Sequence, residues 1–123
     1  MTETKTATFT IETVHDRRTG IVTMTLAGEL LGTAIDELVH ETDALVGAPG
    51  LILDMTRVPY LSLAAMKFLM RLVRQVQGAG GDLKLVGVNP YTLNLMELTG
   101  TLPLFNRHET VAAARAELEA SAT

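Results

Sequence analysis

The chain has 123 residues, enough for one domain with one hydrophobic core. Apolar residues make up 47% and charged residues 20%, so the chain is expected to fold unaided. Its net charge of −4 argues against a nucleic-acid or anionic-membrane binder, and its lack of cysteine excludes disulfides, thiol catalysis and cysteine-ligated metals.

Met1 to Thr10 is polar, without the apolar stretch of a signal peptide. No apolar run approaches the ~20 residues of a membrane span. The expected location is therefore the cytoplasm, and residues 1–123 read as one domain with a loose end over 1–7. Thr8 to Val14 alternates, with Phe9 and Ile11 on one face of a half-buried strand. Asp16 to Gly20 is a polar turn, and Ile21 to Ala27 is the second arm of a hairpin. From Gly32 and Thr33, the residues Ile35, Leu38, Val39, Thr42, Leu45 and Val46 recur at helical spacing until Gly47 to Gly50 stops them. Leu51 to Leu53 suits a strand buried on both faces.

A loop over Met55 to Leu61 leads to the longest helix, with Ser62 as its cap. Leu63, Met66, Leu69, Met70, Val73 and Val76 form its expected core stripe. Leu83, Leu85, Val86 and Val88 mark another strand. Asn89 then Pro90 opens a helix with Tyr91, Leu95 and Leu98 in one stripe. Leu102 to Phe105 reads as a last strand and Glu109 to Ala120 as a last helix, with Val111, Ala114 and Leu118 inward. The order β-β-α-β-α-β-α-β-α demands crossovers, hence an α/β fold on a mainly parallel mixed sheet with a hairpin strand at one edge.

Chemistry-bearing patterns are sparse. His15, His40 and His108 lack metal-ligand spacing, apart from His40 with Asp36 and Glu37, which make an ordinary solvated helix face. There is no G-x-S-x-G, no Walker loop and no G-x-G-x-x-G. Gly78, Gly80 and Gly81 follow a helix, the wrong side for cradling phosphate. Asp54 stands at the end of a parallel strand, where its carboxylate is expected to accept backbone N–H groups of the following loop. No cofactor, metal or catalytic residue is expected.

The run Leu53-Asp54-Met55-Thr56-Arg57-Val58-Pro59-Tyr60-Leu61 before a helix resembles the centre of the STAS domain, the fold of bacterial anti-sigma factor antagonists. That family carries L-D-[LM]-[ST]-x-V-x-[FY]-[ILM] followed by D-S-S-G-L. Leu26-Ala27-Gly28-Glu29-Leu30 resembles its L-x-G-E-L-D turn, with Leu31 in place of the aspartate. Gly81 to Val86, Leu98 to Leu102 and Glu109 to Ala114 resemble its later strand, turn and helix. The resemblance implies a STAS-like fold and an interaction module for transcription regulation rather than an enzyme. The implied partner is an anti-sigma factor or related regulator.

The departures bear on regulation. Ser62 falls at the motif's aspartate, Leu63 at its first serine, Ala64 at the serine that takes phosphate, and Ala65 at its glycine. Ala64 has no hydroxyl. Ser62 or Thr56 could substitute as acceptors; the plainer reading makes Ser62 a helix cap and Thr56 a loop hydroxyl. The expected partner surface comprises Glu29, Leu30, Leu31, Ser62, Leu63, Ala64, Lys67, Phe68 and Arg71. Phe68 reads equally as an interface aromatic and as one packed under a neighbouring segment. The alternatives are a STAS subunit of a transport or lipid-trafficking complex, and a small nucleotide- or ligand-binding α/β domain. A homodimer is left open.

Overall fold

The computed structural model describes residues 3–5 and 9–121. A sheet of six strands runs in chain order: β1 (Glu3–Lys5), β2 (Phe9–His15), β3 (Val22–Gly28), β4 (Gly50–Arg57), β5 (Asp82–Val86) and β6 (Asn106–His108). The first three pair antiparallel, and β3 through β6 pair parallel. The helices are α1 (Thr33–Asp43), α2 (Leu63–Gly78), α3 (Pro90–Leu98) and α4 (Val111–Ser121). This is the α/β mixed sheet that the alternation of strand and helix patterns demanded, with the hairpin on the antiparallel side.

Three elements differ from expectation. Glu3–Lys5 pairs with β2 as an edge strand where a loose end was expected; the other residues of 1–7 lie outside the described residues. β4 does not stop at Leu53 but runs on to Arg57, accommodated by a register shift opposite Thr25 and Ala27. Leu102–Leu104 is a 3-10 turn, closed by Leu104 N–H donating to the Thr101 carbonyl at 2.9 Å. Pro103 cannot donate to a ladder, so β6 begins only at Asn106.

The sheet separates two unequal cores. On one face Phe9, Ile11, Met24, Leu26, Leu51, Leu53, Leu83 and Leu85 pack with the inner sides of α1, α2 and α3. On the other, α4 lays Ala114 and Leu118 on Ile21, Ile52 and Val86. The expected inward residues of α4 are thus correct, and Val111 is half-buried. The stripe of α3 is phased differently. Tyr91 and Leu98 face solvent, and Thr92 and Met96 are the buried pair. On α2, Met66, Leu69, Val73 and Val76 are buried as expected, joined by Ala65, Phe68 and Leu72; Met70 is half-buried and Leu63 is exposed.

Candidate functional site

The C-terminal ends of β3, β4 and β5 feed three loops that are fastened to one another. Leu30 N–H donates to the Tyr60 carbonyl at 2.9 Å, and Ser62 N–H returns to the Leu30 carbonyl at 3.1 Å. This Leu30–Leu61 bridge extends the parallel pairing of β3 and β4 into their loops. From the other side, the Asn89 side-chain amide donates to the carbonyls of Val58 (3.1 Å) and Pro59 (3.0 Å), while its oxygen caps α3 by accepting from Thr92 N–H at 2.8 Å. Tyr60 and Tyr91 lie ring to ring at 5.5 Å across the same junction. Reading Asn89 only as a cap missed this clamp. The signal was its amide, which can donate and accept at once.

Below the loops, Asp54 Oδ1 accepts from Thr56 N–H at 3.1 Å and from the Thr56 hydroxyl at 2.6 Å. The carboxylate therefore shapes the strand end, as the loop reading anticipated. Gly87, at φ +70°, sits directly against Thr56, so the close approach of β5 to β4 leaves no room for a Cβ there. Ser62 Oγ accepts from Ala65 N–H at 3.2 Å and caps α2.

These contacts decide which expected partner residues reach the surface. Glu29, Ala64, Lys67 and Arg71 are exposed and Ser62 is half-buried. Leu31 and Leu63 are 40% and 52% exposed. Two expectations need correction. Leu30 is wholly buried, because the bridge to Leu61 turns its side chain into the core. Phe68 is only 5% exposed, because it lies on the inner side of α2 with Ala65 and Leu72. The Arg71 guanidinium covers its ring at 5.8 Å. Tyr91, 54% exposed, joins the surface set that the sequence had not assigned to it.

The result is a corner of hydrogen-bonded loops with an apolar tip, bordered on α2 by cations. A cavity of about 700 Å³ lies elsewhere, beside the hairpin turn and the start of β5, with Arg18, Ile21, Pro49, Asp82 and Leu118 among its lining. Among the described residues no helix is long and apolar enough to cross a membrane.

A mixed sheet with helices on both faces, its strand ends knotted into an exposed loop–helix corner, defines the class of domain. Residues 12–114 match the STAS domain, and the chain belongs to that family. It is 28% identical over 104 residues to BtrV of Bordetella bronchiseptica, which is named as an anti-sigma factor antagonist; the match spans 80% of this chain and 90% of that one. The crystal structure of an anti-sigma factor antagonist from Mycobacterium paratuberculosis superposes with a TM-score of 0.75 at 22% identity, over 89% of this chain and 94% of that one. The murine anion transporter Slc26a9 shares the fold in part, at TM-score 0.72 and 20% identity over 83% of this chain and 18% of the transporter.

Proposed function

We propose that this chain is a regulatory binding module that engages an anti-sigma factor, or a closely related regulator, through the corner of Leu31, Leu63 and Ala64, and does so without phosphorylation at position 64. It acts in a bacterial cytoplasm. The observation that carries the reading is the solvent-facing first turn of α2, where Leu63 and Ala64 are exposed and neither has a hydroxyl. A phosphate there would bring roughly −2 charge and three strong acceptors into an apolar contact. With Ala64 in place the tip stays neutral and available for docking. The two nearby hydroxyls have structural work: Ser62 accepts from Ala65 N–H, and the Thr56 hydroxyl donates to Asp54. These bonds support leaving both out of a phosphorylation switch. The name of the Bordetella relative supports the class of partner.

The test uses the native chain, Ala64→Ser and Ala64→Asp as baits in lysate of the native cell supplied with ATP, read by mass spectrometry and phosphate-affinity gels. The native chain is expected to capture the regulator and stay unmodified, while Ala64→Asp loses capture. Phosphorylation of the native chain at Ser62 or Thr56 would overturn the reading.

A further inference from the structure

The outer side of α2 continues away from the tip as a row of cations. Lys67, Arg71 and Arg74 are exposed and recur at i, i+4 and i+7, so they share one side of the helix. The helix carries no acidic residue, in a chain of net charge −4. Arg18, Lys84 and Arg115 hold carboxylates within ion-pair distance; among the described residues Lys67, Arg71 and Arg74 hold none, as is true of Arg17, Arg57 and Arg107, but only the α2 cations recur along one helix side. Together with half-buried Met70 and exposed Gln75, the three cations line an open groove of about 400 Å³. The Arg71 guanidinium lies 5.8 Å from the centroid of the Phe68 ring. The first turn of α2 lacks the acid that would offset the positive end of its dipole.

We infer that the partner's footprint runs from the Leu63–Ala64 tip along this groove, and that the partner meets it with an acid-rich segment carrying an apolar side chain for Met70. This inference rests on the proposed docking at the corner and adds the chemistry of what docks. Uncompensated cations beside an apolar contact steer an anionic surface and reject a basic one. A nucleic acid fits less well. The groove offers no exposed aromatic ring for base stacking.

The experiment places a photo-crosslinking benzoylphenylalanine at Gln75 or at Leu63 of the full chain in its native cell and sequences the crosslinked peptides. The expected result is the same protein at both positions, joined at position 75 through an acid-rich peptide. Reversing Lys67, Arg71 and Arg74 to glutamate should lower the yield at position 63 at least about tenfold in a chain that circular dichroism shows to be folded. Capture at 63 with nothing at 75, or through a neutral or basic peptide at 75, would overturn this inference and leave the corner reading standing. A crosslink at 75 to nucleic acid, or to residues 36–43 of a second copy of this chain, would overturn it too. No crosslink at 63 would end both.

Discussion

The face of the sheet under α1, α2 and α3 is a continuous apolar core, whereas the face under α4 has a small apolar cluster and a charged border. On the first face the largest side chains are almost free of solvent, and the loops above them are pinned by backbone bonds. On the second, Lys84 rises from β5 with its side chain only 3% exposed and pairs with Glu117 of α4 and with Asp82 at 3.1 Å. His108 lies 3.5 Å from the same Glu117, and Arg115 of α4 reaches Asp16 at 3.0 Å and the Thr23 hydroxyl at 3.2 Å. One face is thus held by non-directional burial, and the other depends on charge as well. The corner proposed for docking sits over the first, so its exposed tip rests on the larger apolar core.

That contrast can be broken most severely beneath the tip. Phe68→Ala should cost about 3–5 kcal/mol, read by denaturant unfolding, because a buried ring leaves a cavity. A loss below about 1 kcal/mol would mean the ring is not core. Gly87→Ala should cost about 1–3 kcal/mol through its positive φ alone, with the crowding against Thr56 adding to it. Ser62→Ala should cost about 1 kcal/mol as the loss of a helix cap, with Ser62→Asn recovering most of it.

The α4 face should respond to acid. The hydrogen bond from Lys84, with the charge behind it, holds the Glu117 carboxyl below its ordinary value of 4.5. Burial pulls Lys84 down, but its bonds to Glu117 and Asp82 outweigh this and hold it above its ordinary value of 10.5. A depressed carboxylate stabilises the fold above its unfolded value and loses that contribution as pH falls through its folded one. Melting temperature should therefore fall as pH drops below 4.5, and Glu117→Gln, less stable at neutral pH, should flatten that fall. Lys84, raised rather than depressed, contributes below 10.5 and loses its share only as pH rises beyond that. Parallel melting curves for native and Glu117→Gln chains would remove the pair from the account.

Periodicity made the order of elements readable, because each helix needs one apolar side and each central strand two. It failed where tertiary contacts override a local pattern. Tyr91 and Leu98 look like a core stripe, but Thr92 and Met96 take the inward positions of α3. Lys84 reads as a gap in a strand, and its burial depends on Glu117, which is 33 residues away. In the site, the exposure of Ala64, Lys67 and Arg71 was legible from helical spacing, whereas the same spacing placed Leu63 in the core stripe and it is 52% exposed. The burial of Leu30 was not legible, because it follows from a bridge between two loops rather than from the pattern of either.

The most direct measurement pairs partner capture with thermal stability for Leu63→Asp. Leu63 is 52% exposed on the tip and lies outside the core, so the charge should abolish capture while the melting temperature stays within a degree or two of the native chain's. Undiminished capture by a Leu63→Asp chain of native stability would contradict the claim that this corner is where the partner binds.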